Sequence, residues 1–224
     1  MACAEDVLVD EHLRELGARL QGPARLKSEL LTEARHGLLD AVEAYREDGV
    51  PAGEAQRRAV VEFGSAAQLL PSWQAELAVG ALRGLSLRML AVAGLGMAAG
   101  DLTWQGASWS DGSRPPAAYL LLSAAVDWIW LGALLLSVAG LLVVASNARA
   151  PRPGLALAQR VVGMGLTGLV ALGMLTGCAL FTWSLSLWDA ALRWPPMLIG
   201  VVVASAAYFS LTRAARTWLL ATVR

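Results

Sequence analysis

Apolar residues recur with the period of an α-helix over roughly the first 80 residues of the chain. In the first segment, residues 8–20, four of them share one helix face: Val9, Leu13, Leu16 and Leu20. In the second, from Ala24 to about Asp48, five do so: Leu31, Ala34, Leu38, Val42 and Tyr45. Amphipathic helices with such faces bury them against one another. The pattern therefore predicts a small helical bundle at the start of the chain.

Glycine and proline indicate where these helices begin and end. Gly49 is placed to end the second helix, and Gly64 ends a third helix over about 52–63. A fourth helix is predicted to start near Ser65, and we expect Pro71 to kink or restart it. The prediction is an all-α bundle of three to four helices.

Beyond Arg83 the chain becomes almost entirely apolar. A helix that crosses a bilayer needs about 20 apolar residues. Four segments meet this requirement and are predicted to form a four-helix transmembrane bundle: about 86–104, 120–146, 158–186 and 195–213. We therefore divide the chain into a helical domain over 1–82 and a four-span domain over 83–224.

The charges differ in sign between these two parts. Residues 1–84 hold nine Lys/Arg and fourteen Asp/Glu, a net charge of −5, whereas the remainder holds nine Arg and four Asp, a net charge of +5. An acidic domain without a basic patch lacks what phosphate contacts require, so direct nucleic-acid binding is not expected. We expect its acidic surface to suit a basic surface of a partner protein instead.

The arginines also predict the orientation in the membrane. If the N-terminal domain is cytosolic, the cytosolic side carries eight arginines: Arg83, Arg88, Arg149, Arg152, Arg160, Arg213, Arg216 and Arg224. The opposite side carries only Arg114 and Arg193. Because positive residues accumulate on the cytosolic side, both termini are expected there.

Few residues of the apolar part suggest chemistry. Asp101 and Asp127 are ionisable groups in or near spans, which makes them functional candidates. If the second span runs from about 127 to 146, however, Asp127 only begins that helix at the outer interface.

Close helix packing is predicted at Gly96, Gly100, Gly173 and Gly177, which form two GxxxG pairs and leave homo-oligomerisation open. His12, His36, Cys3 and Cys178 show no metal-binding spacing. No catalytic set, cofactor site or metal site is predicted.

In the N-terminal domain, four residues are candidates for contact with a partner protein: Arg57, Arg58, Glu62 and Trp73. The arginine pair is as well explained by a solvated helix face as by an acidic partner surface.

Residues 12–78 resemble the bacterial permease prefix domain 1 and are similar to HAAS-type signalling domains. The likeness is carried by Gly22-Pro23-Ala24-Arg25, Glu33-Ala34-Arg35 with Gly37-Leu38, Glu43-Ala44-Tyr45, Glu54-Ala55 with Arg57-Arg58-Ala59-Val60, Phe63-Gly64 and Gln74-Ala75-Glu76-Leu77. His36 departs from the pattern, which has an acidic residue there. The resemblance implies a module that precedes transmembrane helices, encoded beside a PadR-like winged-helix regulator.

We therefore expect a non-enzymatic inner-membrane regulatory protein whose cytosolic helical domain binds or tethers a PadR-like transcription regulator. The alternative is a small transport-class membrane protein or an accessory subunit of an ABC exporter. An adjacent ATPase, or polar residues converging at mid-membrane, would favour that alternative.

Overall fold

The computed structural model describes residues 6–104, 116–149, 153–187 and 195–222, and the side chains of these residues except at 99–104, 153 and 196. Over this part of the chain 94% of residues are helical and no strand is present, which confirms the all-α prediction. The described residues form seven helices: α1 (Val7–Arg19), α2 (Ala24–Glu47), α3 (Ala52–Phe63), α4 (Ala66–Trp104), α5 (Ala117–Arg149), α6 (Pro153–Leu187) and α7 (Pro195–Thr222).

The chain divides into two compact units. Unit 1 comprises Met1–Ala81 and Leu219–Arg224, and unit 2 comprises Leu82–Trp218. Both α4 and α7 are continuous helices that contribute residues to each unit.

The core of unit 1 is built from the apolar faces that the sequence predicts. Its buried residues come from all three short helices and the start of α4: Val9, Leu13, Leu16, Ala34, Leu38, Val42, Ala55, Ala59 and Ala66. Leu31 and Tyr45 are partly buried at its margin. The helical period alone was sufficient for this prediction because each amphipathic helix has only one apolar face to bury.

Two glycines with positive φ end the helices as predicted. Gly49 has a φ of 83°, and behind it the amide of Val50 donates to the carbonyl of Tyr45 at 3.0 Å, which closes the last turn of α2. Gly64 has a φ of 103° and ends α3. Next to it the amide of Ser65 donates to Oε1 of Gln68 at 2.9 Å, so a capping interaction begins α4.

The prediction that Pro71 restarts the helix is wrong. α4 runs without interruption from Ala66 to Trp104, so the fourth helix of the bundle and the first apolar segment are one element of 39 residues. Pro71 lies in the second turn, where its missing amide removes a single hydrogen bond close to the helix start. The long run of helix-favouring residues that follows supplies the remaining bonds.

Four helices of the described residues are long and apolar enough to cross a membrane. In unit 2 they contact one another in antiparallel succession. A Cβ at Gly96 of α4 would lie 3.4 Å from the ring of Trp130 of α5. The hydroxyls of Tyr119, near the start of α5, and Ser184, near the end of α6, are 3.0 Å apart. Gly173 of α6 similarly adjoins Tyr208 of α7.

Asp127 does not begin its helix, which corrects that prediction. α5 starts ten residues earlier, at Ala117, because residues 117–126 are also apolar and helix-compatible. Asp127 is an exposed residue inside α5. Gly100 and Asp101 belong to α4, but their surroundings lie outside the described part. Arg114, Arg152, Arg193, Arg224 and Cys3 are likewise outside the described residues.

Candidate partner-binding surface and membrane-helix contacts

The arginine pair of α3 shares one carboxylate. Nη2 of Arg57 lies 2.8 Å from Oε2 of Glu54, and Nε of Arg58 lies 3.1 Å from Oε1 of the same group. The three residues are one helical turn apart, which places them on one outer face of α3. The hydrogen bonds from Arg58 and then Arg57 hold the pKa of the Glu54 carboxyl below its ordinary value. The positive charge of this face is therefore partly neutralised within α3.

These ion pairs predict a small pH-dependent contribution to the stability of unit 1. Because the pKa of Glu54 is lowered in the folded protein, the contribution is present above the ordinary carboxyl pKa and is lost as the pH falls through the lowered one. We expect Glu54→Gln to unfold slightly more easily than the wild type near neutral pH, with the difference vanishing in acid. The measurement is hydrogen exchange of the α3 amides in both proteins, from neutral pH down to the pH at which Glu54 is protonated. Glu76→Gln, at a carboxylate with no ion pair among the described residues, is the control. A difference that grows on acidification would contradict the prediction.

Glu62 and Trp73 also make contacts within unit 1. The hydroxyl of Tyr45 donates to Oε2 of Glu62 at 2.7 Å, and this bond raises the pKa of Tyr45. The Trp73 ring meets Phe63 edge to face, with centroids 6.3 Å apart, and is half-buried against the core. The structure does not place the four candidates on a single free surface, and a partner contact through them stays a prediction.

A continuous acidic face on α2 lies outside the candidate residues predicted from the sequence. Six exposed residues follow one another at intervals of three or four positions: Glu29, Glu33, His36, Asp40, Glu43 and Glu47. At 3.6 residues per turn these positions fall on one side of the helix, along roughly 27 Å of its axis. We call this set the acidic face. The signal was present in the sequence, as acidic residues at helical spacing opposite the apolar face.

Most of the carboxylates of the acidic face have no counter-charge among the described residues. Arg25 pairs with Glu29 at 2.8 Å, but Glu33, Asp40, Glu43 and Glu47 form no ion pair with any described residue. Several basic groups of unit 1 form ion pairs with carboxylates outside this face. Arg19 pairs with Glu15, Arg35 with Asp10, and both Arg57 and Arg58 with Glu54. Like charges at these spacings weaken a helix by about 0.2–0.5 kcal/mol a pair. Helix stability therefore does not explain the arrangement.

A shallow cavity opens at the N-terminal part of the acidic face. Its volume is about 350 Å³, and the described residues that line it are Ser28, Glu29, Thr32, Glu33 and His36. All five belong to the outer side of α2. The cavity is thus a depression lined by two carboxylates, two hydroxyls and an imidazole.

The predicted glycine contacts in unit 2 are only partly present. A Cβ at Gly173 would lie 2.7 Å from the Tyr208 hydroxyl, and Gly96 approaches Trp130, so both mark close helix approaches. A Cβ at Gly177 would meet no described atom within 4 Å, and Gly177 is exposed, so it marks no close approach between the described helices and its packing stays a prediction. Gly173 is buried, whereas Gly177, about one turn further along the same side of α6, is exposed. Among the described glycines of unit 2, the tightest approaches are at Gly163, beside Trp218, and at Gly140, beside Ser86.

The buried polar side chains among the described residues of unit 2 carry hydroxyls rather than ionisable groups. Ser137, Thr176 and Ser184 donate to carbonyls one turn earlier in their own helices. Ser86 is fully buried, and its Oγ has no partner among the described residues. Cys178 is exposed on α6. In the described part of the chain no group of three or more His, Cys, Asp or Glu residues is arranged to hold a metal ion.

The fold and these surfaces define an all-α protein with four helices long and apolar enough to span a membrane and a separate, charged helical unit. Comparison with models of known families, with curated proteins and with solved structures finds no match.

Proposed function

We propose that this chain is a non-enzymatic regulatory protein of the bacterial inner membrane, whose unit 1 binds and tethers a PadR-like winged-helix transcription regulator in the cytosol. Unit 2 anchors the protein in the bilayer. The observation that carries the proposal is that charged unit 1 shares the continuous helix α4 with the apolar helices. A regulator bound to unit 1 is thereby held to a membrane anchor through a helix rather than through a flexible linker.

Two further observations support a protein partner for unit 1. Its core is closed by its own helices, so the outer faces of α2 and α3 are available for contacts. The residues 1–84 carry a net charge of −5, which disfavours nucleic acid and favours a basic protein surface. The arginine distribution, eight on one side of the spans against two on the other, supports a cytosolic unit 1.

The test is direct binding between the full-length protein and the PadR-like regulator that is encoded nearest to its gene. The protein is reconstituted into lipid vesicles, the purified regulator is added, and the vesicles are floated through a density gradient. We expect the regulator to float with vesicles that contain the protein and to remain at the bottom with protein-free vesicles of the same lipid. A regulator that stays at the bottom in both cases would overturn the proposal. Co-purification with an ATPase instead would favour the exporter-subunit alternative.

A further inference from the structure

We infer that the acidic face of α2 is the surface that binds the regulator, and that it does so through the regulator's basic, DNA-contacting surface. Regulator held by unit 1 is then not bound to DNA. This inference rests on the proposed function and deepens it, because it names the contact surface and the regulatory consequence.

Charge complementarity is the first argument. A protein that binds DNA presents rows of Lys and Arg that neutralise phosphates along the duplex. The acidic face offers carboxylates along roughly 27 Å of one helix, and all six of its residues are exposed. A basic surface that engages this row has its cationic side chains occupied. The same side chains cannot contact phosphates at the same time, so binding to unit 1 and binding to DNA exclude one another.

The second argument is that the carboxylates are left available. Glu33, Asp40, Glu43 and Glu47 have no ion pair with a described residue, although arginines elsewhere on unit 1 are paired. Repulsion between like charges one turn apart disfavours the helix. Such a face becomes favourable when a cationic partner covers it, since these four carboxylates then gain the counter-charge that no described residue supplies.

The cavity beside Glu29 and Glu33 provides the third argument. Its lining places two carboxylates and the hydroxyls of Ser28 and Thr32 around one depression. A guanidinium or ammonium group has only hydrogen-bond donors, and these oxygens are acceptors. The exposed surface of the depression is mostly apolar and Glu29 is already paired with Arg25, so the depression is suited to the aliphatic part of an arginine or lysine side chain whose charged end meets Glu33.

The outer face of α3 fits this partner less well. Arg57 and Arg58 have the same sign of charge as a basic surface, and both are already bonded to Glu54. Among the described helix faces of unit 1, α2 therefore has the favourable sign over the greatest length.

The experiment uses the full-length protein in discs of zwitterionic lipid, so that the bilayer contributes no net charge. The regulator is bound to a fluorescently labelled operator duplex, and fluorescence anisotropy is followed as the discs are added. Direct affinity for the regulator without DNA is measured in parallel, at two salt concentrations. The test variant carries Glu33→Gln, Asp40→Asn and Glu43→Gln. The control carries Glu11→Gln, Glu15→Gln and Glu76→Gln, which changes the net charge equally at exposed positions of other helices.

We expect the wild type and the control to displace the duplex, and their affinity for the regulator to fall with salt. The test variant is expected to lose about tenfold or more in affinity, to lose salt dependence and to leave the duplex bound. Hydrogen exchange of α2 should show that it folds at least as well as the wild type, since repulsion is relieved.

Wild-type affinity in the test variant would overturn the inference and leave the proposed function standing. A ternary complex that retains DNA would overturn mutual exclusion. No binding by the wild type would overturn both the proposed function and the inference.

Discussion

Leu38→Ala is expected to unfold unit 1 in a large fraction of molecules. Leu38 is 1% exposed and lies at the centre of the cluster formed by α1, α2 and α3. Removing a buried leucine side chain to alanine costs about 2–5 kcal/mol, from lost burial and from the cavity that remains. Small domains have total stabilities near the lower end of about 5–15 kcal/mol. The loss is thus comparable to the whole stability of the unit.

Because the long apolar helices dominate any overall helical signal, the measurement must be local. Limited proteolysis and hydrogen exchange of α1–α3 in the full-length protein report on unit 1 specifically. Val61→Ala is the matched control, since Val61 is an aliphatic residue that is 80% exposed on α3. Its effect should stay within about 0.5 kcal/mol. Wild-type protection in the Leu38→Ala protein would show that the cluster does not hold unit 1 together.

Gly163→Ala is expected to destabilise unit 2. A Cβ at this position would run into the ring of Trp218 of α7, and Trp218 is 2% exposed, so the ring has no open space to move into. Overpacking of this kind typically costs about 1–3 kcal/mol, because side chains leave their rotamers or the helices separate. The readout is the temperature at which the detergent-solubilised protein loses its monodisperse peak in size-exclusion chromatography.

Gly177→Ala is the control for that experiment. Gly177 lies in the same helix, but a Cβ there meets nothing within 4 Å. Alanine favours a helix over glycine, so this variant should be neutral or slightly stabilising. Equal losses at both positions would mean that α6 tolerates no added methyl group, and the Gly163–Trp218 contact would no longer explain the effect.

A GxxxG pattern does not by itself show that both of its glycines contact a neighbouring helix. Gly173 and Gly177 form such a pair, yet only Gly173 approaches another described helix. Gly163 and Gly140 mark closer approaches although neither was singled out by a GxxxG pair. Small residues permit close packing, but residues i and i+4 share one helix face, so whether a neighbouring helix lies close at that height decides which of them is used.

If the proposed function and the inference both hold, the amount of free unit 1 controls how much regulator reaches DNA. The system then needs no catalysis in this chain. Any condition that covers or exposes the acidic face would change transcription by competition alone, and ionic strength would modulate it because the contact is electrostatic.

The sequence by itself determined the all-α fold, the apolar faces of α1–α3 and the four apolar segments. These features depend on local periodicity, on glycines with positive φ and on hydrophobic length, all of which can be read along the chain. Gly49 and Gly64 show this, because the helix ends lie where the glycines predict them.

Only the tertiary structure decided the continuity of α4 through Pro71, the place of Asp127 inside α5 and the difference between Gly173 and Gly177. It also showed that Arg57 and Arg58 are bonded to Glu54 while most of the acidic face is not. The sequence position of a residue fixes the side of the helix on which it lies. Which side and which turn of the helix contact a neighbour depends on how helices distant in sequence pack. Ion pairing and burial are properties of that packing, so periodicity could suggest these surfaces without deciding them.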